Sequence, residues 1–582
     1  MSSSGSRSSV TPHAPSASAA SAASAASTAS EASAAPVAAA ASSEVFSLLA
    51  RMEVGELTPE QYAEIARRCR WPDWQSRQMS ASQAAELIHD GMTVGMSGFT
   101  RAGEAKALPL ALVEKARREP FSITLMTGAS LGNDLDGQMA DAHMLARRMP
   151  FQVDPVLRRA INAGEVMFMD QHLSETVELL RNHQLSDIDI AVIEASAITA
   201  DGGIVPTTSV GNSASYAILA DKVIIELNLE SPAALEGLHD IYIPQMRPSR
   251  QPIPVVAPDS RIGTPYIPID PARIAAIVLT RGSDSPSTCT PPDDGTERMA
   301  GHLVELLKQE VALGRLTPAL LPLQAGIGSM ANAVMSGLKK GPFEHLTMYS
   351  EVLQDSTFDL LDAGKLDFAS GSSITVTEER GRTLWKDLER YRDRLILRPQ
   401  ELSNHPGIVR RLGVIAVNTA LEFDIYGNVN STHVCGTRMM NGIGGSGDFA
   451  RNAQLSVFIT KSLAKGGDIS SVVPFASHVD HTEHDVDILV TEHGLADLRG
   501  LAPRERAVQV IENCSDPSYR PALRAYFEEA CQRGGHTPHC LEQALSWHRE
   551  VEVKGHMRAM RTLPETSPSL EGAAPSVPDA TA

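Results

Sequence analysis

A glutamate and a glycine turn are the residues of this chain whose positions most clearly indicate chemistry. Glu351 ends a short apolar segment, 345–350, of strand length, and the glycine turn, 326–330, follows a second such segment, 319–324. The residues between them, 331–338, have the side chains and apolar spacing of a helix. Because ligands of an open α/β sheet bind beyond the carboxyl ends of its strands, we expect the turn and Glu351 to face one crevice.

Two kinds of chemistry fit a carboxylate and a glycine turn in one crevice. In the first, Gly326-x-Gly328-x-x-Ala331 is a relaxed dinucleotide fingerprint and Glu351 binds a ribose hydroxyl, which predicts an NAD-dependent oxidoreductase. In the second, Glu351 is a nucleophile and the turn supplies backbone donors to an acyl-thioester. The spacing alone does not separate these two, and it also fits a tight turn beside a solvated glutamate.

A second glycine-rich loop, 442–448, also contains the pattern G-x-G-x-x-G, but no clear strand precedes it. Lys461 and Lys465, rather than an acid, follow it at the distance where a dinucleotide fingerprint requires an acid. The amides of such a loop can donate to an anionic oxygen, although a flexible surface loop fits equally well. Glu492 ends a later apolar run, so it is expected at a strand end that can reach a crevice.

One histidine-rich segment contains residue types that bind metals, namely His478, Asp480, His481, Glu483 and His484. The spacing of the histidines differs from the i, i+4 pair of a metal-binding helix, and no fourth ligand is evident. We therefore expect a polar loop before a strand, and no metal site.

Composition limits the classes of partner and the compartment. The chain has 582 residues, too many for one hydrophobic core, so two or more domains are expected. Its formal net charge of −19 argues against a nucleic acid partner, and no apolar run is long enough to cross a membrane. The six cysteines are scattered without a C-x-x-C pair, which favours a reducing, cytoplasmic location.

The order of apolar runs, turns and helical patterns predicts an α/β fold with two domains. The Ser/Ala-rich segment 1–43 has too few large apolar residues to fold and is expected to be disordered. We predict a first α/β domain at 44–275 and a second, carrying Glu351, at 276–550. The residues 551–582 are predicted to be a C-terminal tail.

Nine segments, taken together and in this order, resemble the acetyl-CoA hydrolase/transferase family. They are 97–100 (SGFT), 170–174 (DQHLS), 324–328 (QAGIG), 331–334 (ANAV), 350–355 (SEVLQD), 403–406 (SNHP), 426–431 (YGNVNS), 442–449 (GIGGSGDF) and 491–500 (TEHGLADLRG). Within the family, the chain is most similar to the succinyl-CoA:acetate CoA-transferase branch, a class I CoA-transferase. The resemblance implies two tandem CoA-transferase α/β domains with the active site at their interface. The expected assembly is a homodimer.

The resemblance also implies roles for single residues. Glu351 corresponds to the nucleophile, and the amides of Ile327 and Gly445 correspond to the donors of an oxyanion hole. Asn404 and Lys465 correspond to residues near the CoA, and Glu492 corresponds to a glutamate that helps to orient the active site. The CoA-binding loop corresponds to Gly326, Ile327, Gly328, Ser329 and Met330.

The activity implied is transfer of CoA between a short-chain acyl-CoA, such as succinyl-CoA or acetyl-CoA, and a carboxylate such as acetate. CoA is then a substrate and product, and no cofactor is bound permanently. The alternative is an acetyl-CoA hydrolase that uses the same glutamate, since water can complete the reaction in place of the second carboxylate. The segment 101–106 (RAGEAK) is more charged than its counterpart in relatives, which predicts altered contacts to the acyl group.

Overall fold

The structure is a computed structural model and describes 45, 47–54, 57–248, 250–288 and 291–561 of the chain. The predicted disordered segment 1–43 lies outside the described residues, as do Cys289 and 562–582 of the predicted C-terminal tail. No helix within the described ranges combines the length and the apolar character needed to cross a membrane. The fold is α/β, as predicted, and is built on two mainly parallel sheets.

The first sheet has seven strands, all parallel to their neighbours. From edge to edge they are Met167–Phe168, Leu145–Met149, Ile123–Met126, Thr93–Met96, Ile190–Ala195, Lys222–Asn228 and Ile274–Thr280. The inner strands are buried on both faces, which explains why they read as continuous apolar runs. The helices of this part are Pro59–Arg68, Ala81–Ala85, Ala107–Arg118, Leu135–Asp141, Pro155–Asn162, Thr176–Arg181 and Ser213–Leu219.

The second sheet has eight strands, of which only the last pair is antiparallel. From edge to edge they are Leu395–Leu397, Leu366–Gly371, Leu346–Tyr349, Leu323–Ala325, Ile415–Thr419, Leu455–Ile459, Ile488–Thr491 and Gly494–Asp497. The helices of this part are Asp294–Ala312, Ser329–Lys340, Asp355–Asp362, Glu378–Leu384, Gln400–Ser403, Pro406–Leu412, Ser446–Ala450, Pro503–Cys514, Arg520–Arg533 and Ser546–Lys554.

Short elements complete the two parts. Small strand sets are Ala197–Ile198 with Ile204–Val205, Val352–Leu353 with Ser373–Ile374, Glu422–Asp424 with Val429–Asn430 and Val472–Val473, His433–Val434 with Arg438–Met439, and Leu463–Ala464 with Ile469–Ser470. The 3-10 helices are Trp74–Arg77, Ala233–Leu235, Pro271–Arg273, Leu388–Arg394, Lys465–Gly467, Glu483–Asp485 and Arg558–Arg561.

The ordered elements extend past two boundaries predicted from the sequence. The strand Ile274–Thr280 pairs along its length with Lys222–Asn228, so the first sheet continues beyond the predicted boundary at 275. The helix Ser546–Lys554 and the turn Arg558–Arg561 continue beyond 550. We call 57–280 the first lobe and 294–561 the second lobe.

Buried ion pairs join the two lobes. The guanidinium of Arg398, in the second lobe, pairs with Asp240, and both side chains are buried. Arg181 of the first lobe donates to Glu401 of the second, at 2.8 Å between Nη1 and Oε2. Such pairs hold their geometry because separating them would leave a charge buried without a partner.

The charged segment 101–106 folds inward, into the first lobe. The Lys106 ammonium donates to Glu194 Oε1 at 2.6 Å and lies 2.9 Å from Asp284 Oδ1, and its side chain is 2% exposed. Glu226 accepts the backbone N–H groups that begin the helix Ala107–Arg118, at 2.7–3.0 Å. This cluster ties the segment to two strands of the first sheet and to the loop that leaves it.

We expect Lys106→Met to destabilise the protein strongly. The substitution leaves the buried Glu194 carboxylate without its cation, which typically costs about 3–5 kcal/mol in the free energy of unfolding. Lys308→Met is the matched control, because Lys308 pairs with Glu305 on the surface and its side chain is 45% exposed. Urea unfolding of both variants measures the difference, and equal losses would contradict the structural role of the buried cluster.

Candidate active site

The glycine turn lies where the second sheet reverses its strand order. The strands Leu323–Ala325 and Ile415–Thr419 are neighbours, and the chain leaves the first of them toward one edge and the second toward the other. Such a point opens a crevice at the carboxyl ends of the strands, where ligands bind in α/β sheets. Glu351 follows the adjacent strand Leu346–Tyr349, so it enters the same crevice, as predicted.

Two hydrogen bonds with the Gln354 side chain fix the conformation of the glycine turn. The Gln354 amide donates to the Gly326 carbonyl at 3.0 Å and accepts from the Gly328 N–H at 3.3 Å. Gly328 has φ of 112°, a conformation that favours glycine. Between them, the Ile327 side chain is 46% exposed and its N–H donates to no described residue. Ser329 and Met330 then begin the helix Ser329–Lys340.

The Glu351 side chain is held by a single amide. Ser372 and Ser373 donate their backbone N–H groups to the Glu351 carbonyl, at 2.6 and 3.1 Å, which fixes the main chain. The Asn404 Nδ2 donates to Glu351 Oε1 at 2.8 Å. Asn404 is 0% exposed and ends the helix Gln400–Ser403, so its amide has little freedom to turn away. The Glu351 Oε2 has no hydrogen-bond partner among the described residues.

The second glycine loop closes over this pair. A Cβ on Gly445 would overlap both Glu351 Oε1 and Asn404 Nδ2, so only glycine fits there. The Gly445 N–H, like that of Ile327, donates to no described residue. The loop is largely buried and is not the flexible surface loop that the sequence also allowed.

Burial raises the pKa of Glu351 to about 7, and the hydrogen bond from Asn404 opposes this effect only in part. A carboxylate that has lost most of its hydration is a stronger nucleophile than one in water. Near neutral pH, a substantial fraction of Glu351 is therefore still ionised.

The first lobe anchors the glycine loop at three points. Asp170 accepts the Ile443 N–H at 2.9 Å from each of its carboxylate oxygens. The His172 ring lies against Gly447, where a Cβ would collide with it. Ser174 donates to Asp448 through both its N–H, at 3.0 Å, and its hydroxyl, at 2.6 Å.

A small apolar cluster packs at the junction of the lobes, beside Glu351. Its members are Phe99, Ala129, Leu173, Val352 and Phe151. Val352 follows Glu351 directly, and the Phe151 ring lies against Gly444 of the second glycine loop. This cluster gives the surroundings of Glu351 an apolar wall of the kind that excludes water.

Two family models match the chain. The acetyl-CoA hydrolase/transferase N-terminal domain matches 63–279, and the acetyl-CoA hydrolase/transferase C-terminal domain matches 381–527. The succinyl-CoA:acetate CoA-transferase of Clostridium kluyveri is 50% identical over 487 residues, which cover 83% of this chain and 90% of the relative.

The chain belongs to the acetyl-CoA hydrolase/transferase family.

Other members of the acetyl-CoA hydrolase/transferase family carry two kinds of name. The propanoyl-CoA:succinate CoA transferase of Escherichia coli is 45% identical and covers 82% of this chain and 98% of its own length. The acetyl-CoA hydrolase of Saccharomyces cerevisiae is 42% identical and covers 85% of this chain and 97% of its own length. Sequence similarity therefore extends to transferases and to hydrolases.

Solved structures share the fold at low sequence identity. RipA from Yersinia pestis superposes with a TM-score of 0.61 at 20% identity, covering 78% of this chain and 98% of its own. The 4-hydroxybutyrate CoA-transferase from Porphyromonas gingivalis gives 0.56 at 20% identity, covering 79% and 99%. At this identity, the likeness supports the CoA-transferase fold alone.

Two residues to which the family resemblance gave roles lie apart from Glu351. Lys465 is exposed, in the turn Lys465–Gly467, and no described contact joins it to Glu351. Glu492 accepts from the Ser462 N–H at 2.8 Å and from its hydroxyl at 2.7 Å. Glu492 therefore holds the loop that carries Lys465, and no described contact joins it to Glu351.

One residue of the histidine-rich segment, His481, contacts the second glycine loop. His481 is buried, its ring stacks on Phe458, and its Nε2 lies 3.1 Å from the Ser446 hydroxyl. His478 pairs with Asp480 at 3.2 Å. Within the part of the chain that the structure describes, no group of three or more ligand types is arranged to hold a metal ion.

Most of the charge of the segment 101–106 lies inside the first lobe. Glu104 and Lys106 are buried inside the first lobe, which removes two of its three charges from the crevice. Arg101 instead lines a cavity of about 540 Å³ between the lobes, together with Trp385 and Lys386.

We expect Gly445→Ala to lower kcat by about 10²-fold, because the added Cβ would overlap Glu351 Oε1 and Asn404 Nδ2 and displace the backbone N–H of residue 445. A displaced oxyanion donor costs about as much as a lost one. Gly301→Ala is the matched control, because a Cβ at that exposed helical position meets no atom within 4 Å. Steady-state consumption of acyl-CoA by both folded variants measures the effect. An unchanged rate in Gly445→Ala would show that the loop is only structural.

Proposed function

We propose that this protein is a CoA-transferase in which Glu351 forms covalent intermediates. The observation that carries the proposal is a half-buried carboxylate held by one amide, with the free N–H groups of Ile327 and Gly445 on the loops around it. Two unpaired backbone donors beside a desolvated carboxylate are what stabilisation of a tetrahedral oxyanion requires.

The first half-reaction converts an acyl-CoA to a glutamyl-CoA thioester. A Glu351 oxygen attacks the thioester carbonyl, and the tetrahedral intermediate expels CoA thiolate to leave an acyl-glutamyl anhydride. The thiolate then attacks the glutamyl carbonyl of the anhydride, which releases the first carboxylate. The Ile327 and Gly445 amides would donate to the negative oxygen in each addition.

The second half-reaction runs the same steps in reverse with another carboxylate. The incoming carboxylate attacks the glutamyl thioester, and thiolate leaves to give a new anhydride. The thiolate attacks the acyl carbonyl of that anhydride, which releases the new acyl-CoA and restores the Glu351 carboxylate. Because each step exchanges one activated carbonyl for another, the cycle needs no ATP, metal or resident cofactor.

Transfer is favoured over hydrolysis by the enclosure of the nucleophile. Both intermediates react with water, so a transferase must exclude water and bind a second carboxylate. The apolar cluster formed by Phe99, Ala129, Leu173, Val352 and Phe151 supports this enclosure, as does similarity to the succinyl-CoA:acetate CoA-transferase. Acetyl-CoA hydrolysis at the same glutamate is the second candidate, because several relatives bear that name.

We further propose a cytoplasmic homodimer. The family resemblance supports the dimer. The five cysteines within the described residues are all free thiols, which fits a reducing compartment.

Covalent catalysis predicts an adduct at one residue. Incubation with acyl-CoA followed by borohydride or hydroxylamine should modify Glu351, and Glu351→Gln should abolish both modification and turnover. The rate of adduct formation should rise about tenfold per pH unit below pH 7 and level off above it, because only the ionised carboxylate attacks and its pKa is about 7.

Peptide mapping by mass spectrometry locates the adduct, and Glu344→Gln is the matched control, since this exposed glutamate lies outside the crevice. The absence of an adduct at Glu351, together with tight binding of NAD(H), would favour the oxidoreductase alternative. Saturable CoA binding without any turnover in the parent would indicate a CoA-binding sensor.

Transferase activity predicts a specific dependence on acetate. Added acetate should accelerate consumption of succinyl-CoA, and acetyl-CoA should appear in equal amount. Chromatographic measurement of both thioesters and of free CoA, with and without acetate, distinguishes the two candidates. Free CoA accumulating at the same rate in both conditions, with propionate also inactive as an acceptor, would establish the hydrolase.

A further inference from the structure

A chain of hydrogen bonds runs from the nucleophile to the first lobe. Asn404 Nδ2, which donates to Glu351 Oε1 at 2.8 Å, also lies 3.4 Å from Asp448 Oδ2. That same Asp448 oxygen accepts the Ser174 N–H at 3.0 Å, and the other accepts the Ser174 hydroxyl at 2.6 Å. Four residues from four distant parts of the sequence are thus connected in one line.

The hydrogen-bonded route from Asp448 to Glu351 runs through Asn404. It is 4% exposed, and no hydrogen bond joins it directly to Glu351 within the described part of the chain. It belongs to the helix Ser446–Ala450, which follows Gly445, so the same short segment carries the oxyanion loop and the contact to Asn404.

The charge state of Asp448 suits this arrangement. Burial raises the pKa of Asp448 to about 8, and the nearby negative charge of Glu351 adds to the shift. Two like charges sharing one amide repel each other, so the more buried group keeps its proton. At neutral pH, Asp448 is therefore mostly neutral, and Glu351 does not face a second full negative charge.

We propose that Asp448 is a positioning residue that holds the Asn404 amide against Glu351 and ties this alignment to the first lobe through Ser174. The inference rests on the proposed role of Glu351 as nucleophile. When the first lobe is docked, Ser174 fixes Asp448, Asp448 fixes the Asn404 amide, and Asn404 orients the carboxylate for attack. The alignment of the nucleophile thus depends on contact between the lobes.

The conservative and the disruptive substitution should differ sharply. In Asp448→Asn, the amide oxygen can still accept from the Ser174 N–H and Asn404, and the amide nitrogen can donate to the Ser174 hydroxyl. Asp448→Ala removes all three contacts. We expect Asp448→Ala to lower kcat about 10- to 100-fold with little change in the acyl-CoA KM, as misalignment of a reacting group does, and Asp448→Asn to restore most of the loss.

A double-mutant cycle tests whether the effect passes through Asn404. Single-turnover formation of the Glu351 adduct is measured in the parent, Asp448→Ala, Asn404→Ala and the double variant. If Asp448 acts through Asn404, Asp448→Ala should slow the parent but change the Asn404→Ala protein by less than about threefold. The same factor in both backgrounds would overturn the proposal, because Asp448 would then act through the glycine loop alone.

Two further variants separate a positioning role of Asp448 from a general loss of structure. Asp487→Ala is the matched control, because Asp487 accepts the Ser456 N–H at 2.9 Å in the same lobe but away from the crevice. This control should leave kcat unchanged. Should Asp448→Ala unfold, Ser174→Ala keeps the carboxyl group and should also lower kcat in an Asn404-dependent way. No adduct in the parent would defeat the proposed function, whereas an adduct forming at the parental rate in folded Asp448→Ala would defeat only this proposal.

Discussion

The space beside Gly445 is the constraint on which the rest of the site depends. Its backbone approaches Glu351 and Asn404 so closely that no side chain fits between them. Burial raises the pKa of Glu351 to about 7, and the Gly445 N–H, which donates to no described residue, belongs to the loop packed against that carboxylate. Tight packing at one glycine thus fixes a backbone donor relative to a carboxylate of raised pKa.

The two lobes contribute different parts of this arrangement. The second lobe supplies Glu351 and both glycine loops, each following or adjoining a strand of one sheet. The first lobe supplies mainly anchors, because Asp170, His172 and Ser174 hold the second glycine loop in place. The fold therefore places Glu351 in one lobe and the side chains that anchor the second glycine loop in the other.

Local sequence patterns predicted the main elements and the position of Glu351 at the end of a strand. Glu351 and the turn at Gly326 could be placed in one crevice because strand ends and glycine turns are encoded within a few residues. The contact between Ser174 and Asp448 could not be predicted from the sequence, because 274 residues separate them. Only the packing of the two lobes brings them together. Both residues lie in segments that resemble the family, but similarity alone assigned them no role.

Charge in the sequence was also a poor guide to where side chains point. The sequence of the segment 101–106 shows three charges but not that Lys106 pairs with Glu194 inside the first lobe. Lys465 and Glu492 illustrate the same difficulty in the second lobe, where a hydrogen bond to Ser462 holds Glu492 away from the nucleophile. Such orientations depend on partners distant in the chain, which periodicity does not reveal.

The anchoring of the second glycine loop by the first lobe has a consequence for the order of folding. Ser174 and Asp448 are 274 residues apart in the chain, so the contact between them forms only after most of both lobes has been synthesised. A motion that separated the lobes would break this contact together with those of Asp170 and His172. The surroundings of Glu351 are therefore a property of the two lobes together and not of the second lobe alone.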